Sequence, residues 1–272
     1  MLLDGLVAAA IPDPSAPVVP LPLPRVMGVF ERLTGSPAWR HYEQFAGGLY
    51  EGRAEVELVV RSIAQVGNYD YLLDWIFTQH GGMRVEVGLT GINAVKAVGP
   101  RNGQRGGDGP RFSTLVAPEL EAPFHSHHFN FRLDLDVDGQ NNTFLLGKLK
   151  QRPAPGPRKS IWTLTERAIE SESEGRLDHD ESQWKDADER FAAGDTPNQH
   201  PGAPGLSQYI RDNQGLIDRD IVLWLTVGFH HVTQAEDWPV LSREHLSFEL
   251  KPSNFFDRNP ALDLRRAPFK RR

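Results

Sequence analysis

Apolar and polar side chains alternate along much of this chain, a pattern that predicts β-strands rather than helices. Alternation is clearest over residues 54–60, AEVELVV, where every second side chain is apolar. Two further runs, residues 71–77 and 83–89, flank the segment His80-Gly81-Gly82. Because this segment suits a tight turn, the two runs predict a β-hairpin.

Later segments extend the β pattern. Residues 130–137 and 143–149 predict a second strand pair joined at Asp138-Gly139-Gln140, and residues 221–231 and 245–250 predict two more strands. Residues 151–205 are rich in Pro, Gly, Ser, Asp and Glu and predict a long loop with one helical turn near 166–171. Many strands and little helix predict an all-β fold, a large antiparallel β-sandwich.

The pattern also suggests how the chain is divided. Residues 1–25 include a proline-rich stretch and predict an extended segment leading into the fold. A single domain is expected over residues 26–264. The basic end, residues 265–272, is interpreted as a solvated tail.

Composition narrows the classes of protein that fit. The chain has 272 residues, 39% hydrophobic and 24% charged, which is ordinary for a soluble globular protein. No apolar run is long enough to span a membrane, and the start lacks a basic signal region, so a cytoplasmic location is expected. A formal net charge of −6 gives no indication of nucleic-acid binding. Cysteine is absent, which excludes disulfides and thiolate metal sites.

Two histidine groups suggest a metal. His125 and His127 lie two residues apart on a predicted strand, so both imidazoles point to one face. His230 and His231 end another strand and can supply one further ligand to that face. Three imidazoles suit a redox-active or Lewis-acid metal, and copper(II) is the divalent ion that such a site binds most tightly. The alternative is that these histidines only decorate the surface.

A second unusual stretch is QVGNYDYLLDWIF, residues 65–77. Asn, Asp and Gly are depleted in strands, yet they surround Tyr69 and Tyr71 here. Either the ribbon bends at this point or one tyrosine is present for its chemistry.

These motifs together resemble the copper amine oxidase family. VGNYDY resembles the family motif in which a tyrosine is converted to topaquinone, and the likeness continues over roughly residues 26–264 apart from the middle loop. The other matching stretches follow in the family's order: WIF (75–77), VGLTGI (87–92), HSH (125–127), FRLDLDVDG (131–139), AAGDTPNQ (192–199), HVTQAEDWP (231–239) and LKPSNFFDRNP (250–260). The family's catalytic domain is a large β-sandwich, which agrees with the strand pattern.

The resemblance implies a role for each matching residue. Tyr69 is the expected topaquinone precursor, and Asn68 is expected to limit rotation of the quinone. His125, His127 and His231 are the implied copper ligands, with His128 and His230 as bystanders. Tyr71 is interpreted as a packing residue. A peripheral calcium or manganese site is implied for Asp134, Asp136, Asp220 and the carbonyls of Leu135 and Ile221, for which oxygen ligands suit a hard cation.

The implied activity is oxidation of primary amines by dioxygen to aldehyde, ammonia and hydrogen peroxide, in a homodimer. The family's proton-abstracting aspartate, however, lies further upstream than this chain extends, so no general base is assigned. A loss of a hundredfold or more (order of magnitude) is then expected in the chemical step. The alternative function is a copper-binding relative, truncated or acting as an assembly partner, without turnover.

Two further departures concern the motif and the dimer. Gln65 stands where the family has Ser or Thr, a change of small expected effect. The stretch between His127 and His231 is shorter than in the full-length enzymes. Because the family dimerises through long hairpin arms, this shortening is expected to alter the dimer or the substrate channel.

Overall fold

The computed structural model describes residues 2–8, 20–45, 47–99, 111–176 and 206–265. Strands dominate these residues, and helix is confined to single turns. The strands are β1 Leu2–Ala8, β2 Pro20–Glu43, β3 Leu49–Val66, β4 Tyr69–Phe77, β5 Met83–Gly91, β6 Lys96–Ala97, β7 Ser113–Ala117, β8 Leu120–Pro123, β9 His125–Asp134, β10 Leu145–Pro153, β11 Ser160–Ala168, β12 Val222–His231 and β13 Leu241–Leu250. The helical turns are α1 Glu172–Gly175, α2 Leu206–Tyr209 and the 3-10 turns Ala235–Asp237 and Pro260–Asp263.

The chain divides into two compact units. The first comprises residues 1–127 and 229–272, and the second comprises residues 128–228. The first unit is built on a six-stranded sheet in the order β1-β2-β3-β4-β5-β13, in which every pair described is antiparallel. A three-stranded sheet in the order β6-β8-β7 belongs to the same unit.

The predicted hairpin is confirmed as β4 and β5. Its register pairs Tyr69 with Gly91 and Phe77 with Met83. The turn is closed by a hydrogen bond from Thr78 N to Gly82 O at 2.9 Å, with Gly81 at φ +86°. A Cβ on Gly81 would lie 2.7 Å from Phe256 Cε2, so both the backbone angle and the space require glycine.

One face of the six-stranded sheet contains buried ion pairs. Asp74 is fully buried and accepts two hydrogen bonds of 2.6 Å from Arg61. Glu57 is 2% exposed and accepts from Arg32 and Arg84. Each buried carboxylate is therefore paired with a guanidinium, as burial of a charge requires. Because side chains alternate along a strand, Tyr69 and Tyr71 lie on the face of β4 opposite to Asp74.

The second unit differs from the predicted strand pairing. The stretch predicted over residues 130–137 ends at Asp134, and β9 pairs with β12. The stretch predicted over residues 143–149 is β10, which pairs with β11 from Leu145↔Ala168 to Pro153↔Ser160. The predicted pair across Asp138-Gly139-Gln140 is therefore wrong. The positive φ angles of Asp138 and Gly139 do turn the chain there, but the turn does not close a hairpin.

The predicted loop over residues 151–205 is likewise wrong where β10 and β11 occupy it. Residues 161–165, IWTLT, are β-branched, aromatic or apolar, and residue types of this kind favour a strand. The helical turn lies at Glu172–Gly175, just beyond the predicted position. Residues 177–205 lie outside the described part of the chain, as does the basic tail from residue 266. Within residues 1–25, β1 and the start of β2 are strands paired with each other.

Candidate functional site

Tyr69 is the first residue of β4 and is 7% exposed. The two-residue turn Gly67-Asn68 reverses the chain between β3 and β4, with Gly67 at φ +61°. A second glycine, Gly91 at φ +102°, lies against this turn, and a Cβ there would be 2.6 Å from Asn68 O. The carbonyl of Asn68 accepts a hydrogen bond from Ile92 N at 2.8 Å. The residues after β5 are thereby held against Tyr69.

The Tyr69 hydroxyl has three polar neighbours. It donates to Asn93 Oδ1 at 2.8 Å and accepts from Ala94 N at 3.1 Å. His125 Nε2 lies 2.9 Å from the same oxygen. Burial raises the pKa of Tyr69, the Ala94 N–H opposes this shift, and the charge of Asp237 adds to it. The phenol is therefore held in its protonated form at neutral pH.

Three histidines converge beside this hydroxyl. His125 and His127 come from the start of β9 and His231 is the last residue of β12. Their ring centroids are 4.7 Å apart for His125 and His127, and 5.1 Å apart for His125 and His231. One ring nitrogen of each can be chosen so that all three lie within 4.8 Å of one another. His127 and His231 are buried and His125 is half-buried, so the predicted i, i+2 pair does share a face with the third histidine.

Each imidazole is also oriented by a group on its far side. His125 Nδ1 lies 2.9 Å from Pro123 O, His127 Nδ1 lies 3.1 Å from the Tyr71 hydroxyl, and His231 Nε2 lies 3.1 Å from Asp237 Oδ2. Such outer partners fix the tautomer of a metal-binding histidine and raise its basicity. They leave Nε2 of His125 and Nδ1 of His231 for a metal. His231 Nδ1 is buried and has no hydrogen-bond partner among the described residues.

The donor set fits copper. Burial lowers the pKa of His125, the Pro123 carbonyl opposes this shift, and the imidazoles of His231 and His230 add to it. A neutral imidazole offers a nitrogen lone pair, which is what a metal requires. Three neutral imidazoles suit copper(II) or zinc, and the adjoining phenol adds an oxygen donor.

The other residues predicted at the copper site are not among the three converging histidines. Asn68 lies exposed in the turn, and the contact described for it is through its carbonyl. Its role toward a quinone stays a prediction. His128 and His230 are exposed, and His230 Nδ1 lies 2.9 Å from Ser126 Oγ. Their role as bystanders stays a prediction.

The predicted peripheral cation site lies in the second unit. Asp134, Asp136 and Asp220 are exposed, and one carboxylate oxygen of each can be chosen so that all lie within 4.8 Å of one another. Ile221 follows Asp220 directly, and the Leu135 carbonyl accepts a hydrogen bond from Val137 N at 3.0 Å. Binding of calcium or manganese here stays a prediction.

Sequence reasoning missed three residues of the site. The packing role predicted for Tyr71 overlooks its position two residues after Tyr69 on a strand, which places both side chains on the same face. Asn93 and Asp237 come from the loop after β5 and from a 3-10 turn, where no periodic pattern indicates direction. Only the fold shows that they reach Tyr69 and His231.

Comparison with known proteins identifies the class. The family described as "Copper amine oxidase, enzyme domain" matches residues 16–186 and 183–270. Primary amine oxidase of Klebsiella aerogenes is 32% identical over 304 residues, covering 89% of this chain. Primary amine oxidase 1 and 2 of Arabidopsis thaliana are 32% and 34% identical over 96% and 92% of this chain. The chain belongs to the copper amine oxidase family.

The curated relatives are much longer proteins. The chain spans 40% of the Klebsiella enzyme and 48% and 44% of the two Arabidopsis enzymes. Among solved structures, a copper-containing benzylamine oxidase from Hansenula polymorpha matches with a TM-score of 0.77 at 24% identity, over 90% of this chain and 46% of that one. This likeness confirms the predicted fold class, the all-β antiparallel sandwich of the copper amine oxidase catalytic domain.

None of the helices in the described residues has the length and apolar character needed to cross a bilayer. The cytoplasmic location stays a prediction, and two Arabidopsis relatives are named as peroxisomal.

Proposed function

We propose that this chain is the catalytic portion of a primary amine oxidase that uses copper(II) and a topaquinone derived from Tyr69. The observation that carries the proposal is the position of the Tyr69 hydroxyl, 2.9 Å from His125 Nε2 in the histidine triad. A tyrosine can be oxidised in place by a metal only if its ring lies at that metal. Burying a tyrosine in a protein core does not require three imidazoles beside its hydroxyl.

The residues that would hold the copper are His125, His127 and His231. When bound, copper supplies the redox chemistry for converting the tyrosine, and the resulting quinone supplies the carbonyl that accepts electrons from the amine. The overall reaction balances as one amine, one dioxygen and one water giving one aldehyde, one ammonia and one hydrogen peroxide.

The protein itself contributes position and exclusion of water. Burial keeps solvent from the Tyr69 ring, which packs edge-on to His127 with ring centroids 5.0 Å apart. The outer partners Pro123, Tyr71 and Asp237 hold the imidazoles in place. Such preorganisation lets a bound metal meet the phenol without rearrangement of its ligands.

The general base for removing the substrate α-proton is not assigned to any residue. Asp237, the carboxylate that contacts the triad, already accepts hydrogen bonds at His231 and Gln234 N. The impaired turnover expected from the sequence stays a prediction.

We also propose that the protein works as a homodimer through the β10–β11 hairpin. Because directly paired residues share a face, Leu149 lies beside Leu164 on one face, and Trp162 lies on that face as well. These three side chains are 60–70% exposed: Leu149 70%, Trp162 69% and Leu164 60%. Such an apolar face on an extended hairpin suits burial against a second subunit.

Turnover and cofactor formation are tested separately. Copper-loaded, aerated protein is treated with phenylhydrazine, and formation of a coloured hydrazone is expected in the wild-type protein and not in Tyr69→Phe. Hydrogen peroxide release is then measured with simple primary monoamines. A hydrazone without peroxide release would support quinone formation and would show that the protein is a catalytically silent relative. No hydrazone at all would contradict the proposed function.

A further inference from the structure

Asn93 is a buried polar residue that neither the sequence pattern nor the copper ligand set accounts for. It is fully buried in the loop that follows β5. Its Oδ1 accepts the hydrogen bond from the Tyr69 hydroxyl at 2.8 Å. Its Nδ2 is buried and has no hydrogen-bond partner among the described residues.

This imbalance separates Asn93 from a structural asparagine. Buried amides in folded proteins normally have partners for both the oxygen and the nitrogen, because an unpaired buried donor costs about 1–3 kcal/mol. Asn93 accepts that cost while its one described hydrogen bond is to Tyr69. The hydrogen bond described for the Asn93 side chain is thus to the tyrosine and not to the surrounding backbone.

Competition for the hydroxyl proton shows what Asn93 does. The Pro123 carbonyl can only accept, so the hydrogen bond at His125 Nδ1 places the proton on that nitrogen and leaves a lone pair on Nε2. The single proton of the Tyr69 hydroxyl can then go to His125 Nε2 or to Asn93 Oδ1, but not to both. Once a metal occupies His125 Nε2, Asn93 Oδ1 is the acceptor that remains.

The loop geometry keeps that acceptor in place. Ile92 N donates to Asn68 O at 2.8 Å, and Ala94 N donates to the Tyr69 hydroxyl at 3.1 Å. The residues on both sides of Asn93 are thus bonded to the segment that carries Tyr69. The ring is held between this loop and the histidines.

We propose that Asn93 is a positioning residue that fixes the Tyr69 hydroxyl at the metal-binding histidines, so that the ring stays aligned when the metal takes His125 Nε2. The value of this positioning to the protein rests on the proposed function, in which Tyr69 is the quinone precursor. Its first test does not depend on that role.

The first test uses metal-free protein. Tyrosine labelled with carbon-13 at Cζ gives five signals, because the chain has five tyrosines, and Tyr69→Phe identifies the one from Tyr69. The Cζ shift reports hydrogen bonding of the hydroxyl. We expect Asn93→Leu, which has no acceptor, to move or broaden the Tyr69 signal, and Asn93→Asp, which keeps an acceptor of the same shape, to leave it near its wild-type position.

The second test follows cofactor formation. Variants are loaded with copper without oxygen, and the quinone absorbance is followed after air is admitted. In Asn93→Leu we expect copper affinity within about threefold of wild type, since the ligands are intact, and quinone formation slowed by about tenfold or more, since a misplaced reacting group loses rate steeply. Asn93→Asp should recover most of the rate.

The control is Asn130→Leu, which removes an asparagine whose amide donates to Thr226 Oγ1 at 2.7 Å in the second unit. It should leave both the Tyr69 signal and the rate unchanged. An Asn93→Leu protein with a wild-type Tyr69 signal would overturn the proposal. So would a Leu variant whose rate equals that of wild type. If the wild-type protein forms no quinone, the proposed function fails while the carbon-13 result still decides the role of Asn93.

Discussion

The carboxylate of Asp237 lies 3.1 Å from Nε2 of His231, while Nδ1 of the same imidazole is buried and faces no hydrogen-bond partner in the described part of the chain. Asp237 Oδ2 also accepts from Gln234 N at 2.7 Å, which ties the carboxylate to the residue that caps the start of its 3-10 turn. The backbone thereby orients the carboxylate, and the carboxylate orients the imidazole.

Loss of this contact should weaken metal binding. We expect Asp237→Ala to lower the copper affinity of the metal-free protein by about 10–100-fold, the usual cost of removing an outer partner of a ligating histidine. Asp237→Asn keeps an acceptor oxygen and should lose less. Isothermal titration with copper measures both.

A neighbouring acid provides the control for that comparison. Glu236 lies in the same 3-10 turn and is exposed, so Glu236→Ala removes the same charge without touching His231. Equal losses in Glu236→Ala and Asp237→Ala would show a general charge effect and contradict the contact.

The ligand assignment predicts a sharp difference between adjacent histidines. His127→Ala should abolish tight copper binding and quinone formation together, because it removes one of three imidazoles that converge within 4.8 Å. His128→Ala should leave both intact, because His128 is exposed and is not among the three converging histidines. Metal analysis after dialysis and phenylhydrazine absorbance are the measurements. A quinone retained in His127→Ala would refute the ligand set.

The buried ion pair at the sheet predicts a stability effect that is separate from the site. Asp74 is fully buried beside Arg61, so Asp74→Ala leaves a half-buried guanidinium without its carboxylate. We expect the free energy of unfolding to fall by about 3–5 kcal/mol. Denaturant unfolding of metal-free protein measures the change.

An exposed pair gives the matching control. Arg258 and Asp263 are both 67% exposed, so Asp263→Ala should cost at most about 1 kcal/mol. Similar losses for the two variants would mean that burial does not set the strength of the Asp74 pair.

The exposed apolar face of the β10–β11 hairpin predicts the assembly. Trp162→Glu places a charge among side chains that we expect a second subunit to cover, and it should convert dimer to monomer at micromolar concentration. Lys148→Glu alters the charge on the opposite face, beside Thr165, and should leave the dimer intact. Sedimentation velocity decides between them. A wild-type protein that sediments as a monomer would contradict the proposed dimer.

The sequence predicted the β4–β5 hairpin because alternation and a Gly-Gly turn coincide there. It failed for β10, because two turn signals compete. The Asp138-Gly139 turn predicts a hairpin that does not form, and the chain instead closes one across residues 154–159. Strand pairing depends on which partner completes a register, and local turn signals do not decide this.

The site shows the same division. The grouping of Tyr69 with the three histidines could be predicted because their motifs stand in the sequence itself, and the roles of these residues stay predictions. Asn93 and Asp237 could not, because each lies in an irregular segment whose direction is set by contacts with distant strands. Local spacing predicts candidate metal ligands on strands, but it does not predict the residues in irregular segments that orient those side chains.

The central claim is that Tyr69 becomes the cofactor, and it is tested most directly by mass spectrometry of one tryptic peptide. Cleavage after Arg61 and Arg84 yields residues 62–84, which contain both Tyr69 and Tyr71. After copper loading in air and reaction with phenylhydrazine, fragmentation should place the adduct on Tyr69 and leave Tyr71 unmodified. An unmodified Tyr69 in protein shown to contain copper would contradict the account.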